Sequence, residues 1–328
     1  MRAVIHRQYG PPDVLKLVDI PRPEPRAGEI LVRVVASTVN RSDCGFRAAT
    51  PAISRLFTGL SRPRRPRLGT EFSGVVAGLG EGVANFAEGD AVFGRTQDFA
   101  MGAWAEYLTV PADGAVARKP GKLTFAEAAA LCDGAMLAGM YLALVDFDRQ
   151  RRVLINGGSG AIGSAAVQLA KARGATVTAV CKTETVEIVR ALGADRVIDY
   201  RKEDFTRISG AFDVVFDAVG KSSHGACRRL LPDGGIFMAT DLGPFWQNPF
   251  LALKTALFGG RIKVYFPVPS YRAEQALQLA GLAEQGRYAP LIDRTYPLEE
   301  IVAASEYVET GEKIGNVVIA IGKQADSR

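Results

Sequence analysis

A glycine-rich turn between a short apolar strand and an alanine-rich helix constrains this chain more than any other feature. The strand VLING runs into Gly158-Ser159-Gly160-Ala161-Ile162-Gly163, a G-x-G-x-x-G, and the helix SAAVQLAKA follows at once. In such a turn the first glycine makes the tight bend, the second lets a pyrophosphate approach the backbone, and the third packs helix against strand. The helix N-terminus supplies N–H groups to the phosphates. We therefore predict a dinucleotide site rather than purely structural glycines.

The end of the next strand, TVTAVC, distinguishes the two nicotinamide cofactors. NAD sites place an acidic residue there, whereas the 2′-phosphate of NADP needs cations and donors. Here the strand is followed by Lys182 and Thr183, and Tyr200 with Arg201 ends the next strand. We predict NADPH, with NADH as the weaker alternative. Glu184 would weaken this prediction if the strand ended later. The alternative interpretation of Lys182 is an ordinary solvated loop lysine.

The distribution of strand-like and helix-like segments along the chain predicts two domains. The first 120 residues form short β-rich segments separated by proline and glycine, such as EILVRVVAST and FSGVVAGLG. From Thr124 onward, apolar runs alternate with helical patterns, which is typical of a parallel sheet covered on both faces. The last segment fits neither pattern alone. We predict a β-rich domain at 1–123 and 264–328, interrupted by a doubly wound α/β domain at 124–263.

Composition excludes several classes of protein. Of the 328 residues, 48% are apolar and 23% are charged, which disfavours a disordered, collagen-like or disulfide-scaffold chain. The four cysteines show no C-x-x-C pair, and neither a signal peptide nor a membrane span is evident, so we expect a cytoplasmic protein without a membrane partner. Five arginines account locally for much of the +5 net charge, which is weak support for a polyanionic partner: Arg55, Arg62, Arg64, Arg65 and Arg67.

Four segments together resemble one superfamily. They are NGGSGAIGSAAVQLAKARGA, ALGADRVIDY, FDVVFDAVG and GNVVIAIG, and they follow a β-rich first domain that includes GTEFSGVV. In these the chain resembles the medium-chain dehydrogenase/reductase superfamily, and within it the zinc-independent quinone oxidoreductase and enoyl reductase branch. The resemblance implies an α/β protein with a GroES-like β-rich catalytic domain, a Rossmann domain, a cofactor cleft where they meet, and a homodimer.

The zinc-ligand positions of the superfamily can be compared with this chain. Asn40 stands where the zinc branch has a cysteine, and Gly69-Thr70-Glu71 replaces its Gly-His-Glu. Cys132 alone aligns with the third ligand, and one thiolate cannot hold a catalytic zinc ion. We predict no metal and interpret Cys132 as a small core residue. Hydride addition to a conjugated double bond then suits the chain better than alcohol oxidation, because an enone or quinone delocalises the incoming charge.

Three residues are predicted by resemblance to act near the nicotinamide. Asn40 can donate to a carbonyl oxygen, and Asp43 orders the loop or simply holds an Asx turn. Asp133 starts a helix in an apolar setting. Burial would make it a possible acid, although a helix N-terminus also favours a carboxylate for structural reasons. Where enoyl reductases have a tyrosine donor, this chain has Cys44-Gly45-Phe46, which favours quinone chemistry or protonation by water.

Further positions complete the predicted site. We expect additional cofactor contacts at Val219, Gly220, Thr240 and Asn316. We expect substrate contacts at Phe46, Thr70, Phe93, Trp246 and Phe266. The insertion 51–67 would cover the cleft, where its arginines either meet an acyl-thioester phosphate or form an ordinary solvated face.

The predicted function is NADPH-dependent hydride transfer to a quinone or an α,β-unsaturated carbonyl, without metal. Two alternatives stay open. One is a zinc-free NADP-dependent alcohol dehydrogenase or carbonyl reductase. The other is a non-catalytic NADPH-sensing or RNA-binding protein on the same fold.

Overall fold

The computed structural model describes residues 1–97 and 100–322, which form two compact units. Unit 1 combines Met1–Asp133 with the chain from Tyr271 onward, and unit 2 is Gly134–Ser270. The predicted fold class, a β-rich part and a doubly wound α/β part, is confirmed. The predicted domain limits at 123/124 and 263/264 lie earlier in the chain than the unit limits.

Unit 1 is built on sheets that are antiparallel except where Ile292–Pro297 pairs in parallel with Asn316–Ala320. Its strands are β1 (Arg2–Ile5), β2 (Lys16–Asp19), β3 (Glu29–Val39), β4 (Glu71–Leu79), β5 (Ala91–Arg95), β6 (Tyr107–Pro111), β7 (Val116–Arg118), β14 (Ile292–Pro297) and β15 (Asn316–Ala320). The main sheet has the order β14-β15-β3-β4-β5-β7, and β6 also pairs with β3. β15 runs antiparallel to β3, with Val317 opposite Val39. The terminal segment thus pairs with a strand of the first part of the chain.

Short helices close the open parts of this sheet. They are α1 (Arg41–Ala48), α2 (Arg55–Thr58), α3 (Phe125–Ala129), α9 (Ala273–Glu284) and α10 (Ile301–Glu309). Local sequence explains their starts: Asn40 caps α1 in a capping box with Asp43, and Thr124 caps α3 in the same way with Glu127. The core between helices and sheet is apolar and includes Ile30, Phe72 and Trp104.

Unit 2 has one parallel six-stranded sheet. Its strands are β8 (Arg152–Asn156), β9 (Thr176–Cys181), β10 (Arg196–Asp199), β11 (Val214–Asp217), β12 (Ile236–Ala239) and β13 (Lys263–Tyr265). The order is β10-β9-β8-β11-β12-β13, the doubly wound arrangement in which the winding direction reverses beside the first strand. All five strand pairs are parallel.

Helices cover this sheet. They are α4 (Asp133–Leu142), which starts at the last residue of unit 1, α5 (Ala161–Ala172), α6 (Val186–Ala191), α7 (His224–Cys227) and α8 (Gln247–Phe258). The apolar run EAAALCDGAMLAGMYLAL is predicted as one helix, but it forms α3 and α4 with a break between them. In the described residues no helix combines the length and the apolar character that a membrane crossing requires.

Candidate active site

The glycine turn connects β8 to α5 and is fixed by backbone hydrogen bonds. The N–H groups of Gly157 and Gly158 both donate to the Val180 carbonyl, at 3.0 and 2.9 Å. Gly157 has a φ of +87°, and a Cβ there would lie 2.1 Å from Val219. The left-handed turn residue is therefore Gly157, one position before the glycine to which the motif assigns the bend. A Cβ at Gly163 would lie 2.0 Å from the Gly157 carbonyl, so this glycine serves helix–strand packing as predicted.

Gly160 differs from these glycines because the protein itself does not require it. A Cβ at this position would lie 3.6 Å from the nearest heavy atom, the Gly157 carbonyl oxygen, and its φ of −80° suits any residue. No side chain caps α5 at this end, so the first N–H groups of this twelve-residue helix have no intrahelical acceptor. A bare backbone beside free amide donors fits the pyrophosphate of a dinucleotide.

The residues predicted to select the cofactor lie at the ends of β9 and β10. β9 ends at Cys181, so Lys182 and Thr183 follow it directly, as the NADPH prediction requires. The Thr183 hydroxyl donates to Asp199 at 2.7 Å, and Glu184 forms an ion pair with Arg201. The carboxylate nearest Thr183 is thus Asp199, which the sequence analysis did not consider.

A buried carboxylate organises the loop after β11. Asp217 accepts hydrogen bonds from the N–H groups of Val219, Gly220 and Ser222, and from the Asn156 side chain at 3.0 Å. Its backbone carbonyl accepts from Thr240 N–H at 3.1 Å. The predicted cofactor positions 219, 220 and 240 are therefore brought together at the carboxyl ends of adjacent parallel strands, the edge at which such sheets bind ligands.

Unit 1 contains a buried polar cluster around Asn40. Its side-chain nitrogen donates to the Thr70 hydroxyl at 2.8 Å and, more weakly, to Glu71 at 3.4 Å. Its side-chain oxygen accepts from Asp43 N–H at 2.9 Å. Glu71 also accepts from the Thr38 hydroxyl and from Asp133 N–H at 2.6 Å. The carboxylate of Glu71 thereby ties together β3, the cap of α1 and the start of α4.

The titratable groups of this cluster differ in their environments. Asp133 is ion-paired with Arg95, whose Nε lies 3.0 Å from the carboxylate. Burial, reinforced by the charge of Asp133, raises the pKa of Glu71 to about 7. Glu71 is therefore a carboxyl that titrates near neutral pH. Sequence reasoning missed Glu71 and Arg95, although an ionisable residue at the start of the apolar strand β4 and another at the end of β5 were visible signals.

Asp43 lies in the capping box at the start of α1. It is fully buried, one carboxylate oxygen accepts from Asn40 N–H at 3.2 Å, and the other has no recorded partner. Burial raises the pKa of Asp43 well above its ordinary value. The capping geometry agrees with a loop-ordering role.

The remaining predicted residues are distributed over both units. In unit 1, Phe46 is half-buried on α1, and Asn316 starts β15 with its amide donating to the Leu291 carbonyl at 3.0 Å. Phe93 and Thr70, both predicted as substrate contacts, have no exposed surface at all, so neither side chain offers a substrate anything to touch in this structure. In unit 2, Trp246 is exposed beside α8, and Phe266 is half-buried just after β13.

The residues at the positions of the superfamily's zinc ligands do not fit a metal ion. Both ends of the Asn40 amide are used by protein partners, and the Thr70 hydroxyl receives one of those bonds. Cys132 is fully buried, and burial raises the pKa of its thiol well above the ordinary value, which opposes a thiolate ligand. Among residues 1–97 and 100–322 no group of three or more His, Cys, Asp or Glu side chains is arranged to hold a metal.

Comparison with known proteins agrees with the class of protein that this fold and glycine turn define. The chain belongs to the medium-chain dehydrogenase/reductase superfamily. Residues 26–121 match the family "Alcohol dehydrogenase GroES-like domain", and residues 192–319 match "Zinc-binding dehydrogenase". The name of the second family mentions zinc, but the residues at the zinc-ligand positions of this chain do not suit a zinc ion.

Particular relatives lie among the reductases. The chain is 32% identical to 2-methylene-furan-3-one reductase of Solanum lycopersicum over 97% of its own length and 79% of that protein. It is 31% identical, with the same coverage, to the chloroplastic NADPH-dependent alkenal/one oxidoreductase of Arabidopsis thaliana. The structure of the quinone oxidoreductase from Coxiella burnetii superposes with a TM-score of 0.86 at 30% identity, covering 98% of this chain and 99% of that one.

Proposed function

We propose that this chain is an NADPH-dependent reductase of quinones or α,β-unsaturated carbonyl compounds. The observation that carries the proposal is the open backbone at Gly160 beside the uncapped start of α5, a cradle that the fold leaves empty of side chains. The relatives named for alkenal/one, furanone and quinone substrates support the substrate class.

The residues of unit 2 would hold the cofactor. The first N–H groups of α5 would bind the pyrophosphate, and Lys182, Thr183 and Tyr200 would lie along the adenosine with its 2′-phosphate. The loop that Asp217 organises would support the rest of the dinucleotide through Val219 and Gly220. Bound NADPH supplies the hydride.

Asn40 would orient the substrate in unit 1. One hydrogen of its amide is committed to Thr70 at 2.8 Å, whereas the other is held only weakly by Glu71 at 3.4 Å. This second hydrogen is the one available for a carbonyl or quinone oxygen, where negative charge develops as the hydride arrives. Asp133 would not serve as the acid because Arg95 binds its carboxylate, so the proton comes from water.

The test is steady-state oxidation of NADPH with a quinone and with a trans-2-enal, each in the presence and absence of a chelator. We expect turnover with both acceptors, a lower rate with NADH, and no effect of the chelator. Asn40→Ala should lower kcat by about tenfold or more while leaving NADPH affinity intact, because it removes one hydrogen bond to the developing oxyanion. Oxidation of a simple alcohol with NADP as the main activity, or NADPH binding without turnover, would contradict the proposal.

We also propose that the chain forms a homodimer in the cytoplasm. β13 is the edge strand of the six-stranded sheet, and α8 exposes apolar side chains spaced along one face: Phe250, Leu253, Leu257 and Phe258. An edge strand beside an apolar helix favours pairing with a second copy about a two-fold axis. Four buried, unbridged cysteines are compatible with a reducing compartment. Light scattering should give the dimer mass, and Leu253→Glu should give the monomer; a wild-type monomer at micromolar concentration would refute the dimer.

A further inference from the structure

The end of β10 places a carboxylate beside the residues predicted to select the cofactor. Asp199 is the last residue of β10 and pairs in register with Cys181, the last residue of β9. The Tyr200 N–H donates to the Cys181 carbonyl at 3.1 Å, which keeps the two strand ends together. The segments that follow β9 and β10 therefore share the carboxyl edge of the unit 2 sheet, the edge at which parallel sheets bind ligands.

Asp199 is tied to both of these segments. One of its oxygens accepts from the Thr183 hydroxyl at 2.7 Å and lies 3.4 Å from the Lys202 ammonium. The other oxygen accepts from the Arg201 N–H at 3.0 Å. The hydrogen bond from Thr183 lowers the pKa of Asp199, so this carboxylate is charged at neutral pH. Because a carboxylate offers about four lone-pair sites, it can accept a further hydrogen bond from a ligand.

The contact with Asp199 determines what Thr183 can offer to a nucleotide. A threonine hydroxyl has one hydrogen, and here that hydrogen is donated to Asp199. The lone pairs of the hydroxyl remain for a ligand, but a phosphate oxygen is itself an acceptor. A phosphate at Thr183 would also lie close to the negative charge of Asp199. This pair of side chains therefore suits a hydroxyl donor better than a phosphate.

The arginine and the lysine that follow Tyr200 are engaged with carboxylates. Arg201 forms an ion pair with Glu184, and the Lys202 ammonium lies beside Asp199. Neither cation acts on a phosphate with its full attraction, because each is paired with an opposite charge. Lys182 directly follows β9 and is the basic residue that the proposed site assigns to the 2′-phosphate. At this end of the proposed site, Lys182 attracts the 2′-phosphate and Asp199 repels it.

We propose that Asp199 is a specificity-determining residue of the cofactor site, which stabilises bound NADH and opposes bound NADPH. The 2′-hydroxyl of NADH can donate to the carboxylate, as it does in sites selective for NAD. The 2′-phosphate of NADPH instead brings a charge of about −2 towards the carboxylate. The inference rests on the proposed function, since it concerns the cofactor of that reaction. It leaves NADPH as the preferred cofactor and makes that preference narrower than the basic residues at this edge would set.

Cofactor binding tests the role of Asp199 without any need for turnover. NADPH and NADH are titrated separately, by nicotinamide fluorescence, into the wild-type chain, Asp199→Asn and Asp233→Asn. Asp233→Asn is the matched control, because it removes the same charge before the amino end of β12, at the opposite edge of the sheet, where the side chain is 82% exposed. The measured quantity is the ratio of the Kd for NADH to the Kd for NADPH, in which any misfolded fraction cancels.

We expect this ratio to rise about tenfold in Asp199→Asn and to change by less than about twofold in Asp233→Asn, because only Asp199 repels the 2′-phosphate. The rise has an electrostatic cause, so it should be smaller in about 0.5 M salt than in about 0.02 M salt. A rearranged loop would not produce this dependence on salt. Asp199→Ala removes the same charge and should shift the ratio in the same direction.

Four outcomes of these titrations would overturn the proposal. They are an unchanged ratio in Asp199→Asn, an equal rise in Asp233→Asn, a rise of the same size at both salt concentrations, and a lower ratio in Asp199→Asn. The last of these would mean that Asp199 supports the phosphate site by holding Thr183.

Lys182→Gln separates this inference from the proposed function. Loss of this basic side chain should lower the ratio, because it weakens the binding of NADPH and leaves that of NADH nearly unchanged. A lower ratio in Lys182→Gln together with an unchanged ratio in Asp199→Asn would defeat the inference alone. A wild-type chain that binds neither nucleotide would defeat the proposed function, and the inference with it.

Discussion

The glycines in the turn after β8 are needed for different physical reasons, and substitutions distinguish these reasons. Gly160→Ala adds a Cβ with an ordinary contact distance of 3.6 Å, so the free energy of unfolding should change by less than about 0.5 kcal/mol. The same methyl group occupies the space over the first N–H groups of α5. We expect NADPH to bind about tenfold more weakly, measured by fluorescence titration.

Gly163→Ala is the matched control for this substitution. Its Cβ would lie 2.0 Å from the Gly157 carbonyl oxygen, so the strand and helix must separate, at a cost of roughly 2 kcal/mol in unfolding free energy. Thermal unfolding should distinguish the two variants. A Gly160→Ala protein with unaltered NADPH affinity would show that the pyrophosphate does not lie over this backbone.

The ionisation of Glu71 predicts a specific dependence of stability on pH. Burial raises its pKa from the ordinary 4.5 to about 7, so the folded state retains a proton that the unfolded state has lost. The contribution of this group to stability is therefore complete below pH 4.5 and is lost as the pH rises through about 7. In Glu71→Gln, which can still accept from Asp133 N–H, the decline over this interval should be smaller. Urea unfolding from pH 4.5 to 8 measures it, and parallel curves for both proteins would contradict the assignment.

The difference between the glycine turn and Glu71 shows what the residues alone could predict. The turn is local: Val153 to Gly163 contains the strand, the bend and the helix start, and the pattern can be read from consecutive letters. The surroundings of Glu71 come from Thr38, Asn40 and Asp133, which are up to 62 positions away. No local pattern reports that Arg95 forms an ion pair with Asp133, so this environment of the predicted acid could not be read from the sequence.

At the scale of elements, the loop after β11 depends on one side chain. Asp217→Ala would leave the N–H groups of Val219, Gly220 and Ser222 without their acceptor. We expect a loss of about 2–3 kcal/mol in unfolding free energy, because buried donors would be unsatisfied, together with weaker NADPH binding.

Asp217→Asn is the comparison for this loop. It keeps the oxygen that serves Val219, Gly220 and Asn156, and it loses only the bond to Ser222. We expect its effects on denaturant unfolding and on NADPH titration to be smaller than those of Asp217→Ala. Equal effects of the two substitutions would mean that charge, and not the set of hydrogen bonds, supports this loop.

Element types were predictable where the hydrophobic period was sustained, as in β3 and α5, and the exceptions have physical causes. The predicted long helix is divided into α3, which has five residues, and α4. At the start of α4, Asp133 N–H donates to the side chain of Glu71 in β4. A tertiary hydrogen bond thus replaces the continuation that helix propensity favours. Phe93 was expected to contact the substrate, but it lies in β5, where every residue from Val92 to Arg95 is buried.

At the scale of the whole molecule, the residues at the positions of the superfamily's zinc ligands predict an activity that does not depend on zinc. Asn40 provides an amide that is already bonded at both ends, and Cys132 provides a buried thiol that resists ionisation. The purified chain should contain well below one equivalent of zinc by mass spectrometry, and a chelator should not change NADPH oxidation. Stoichiometric zinc whose removal abolishes turnover would contradict this expectation.

The pairing of β15 with β3 sets a temporal order during synthesis on the ribosome. β3 emerges early, but its neighbour at Asn316–Ala320 is translated only after the whole of unit 2. The contiguous Gly134–Ser270 unit leaves the exit tunnel complete while the surrounding sheet still lacks a partner strand. The nascent first half must therefore keep an open, hydrogen-bonding edge out of contact with other chains for most of its elongation.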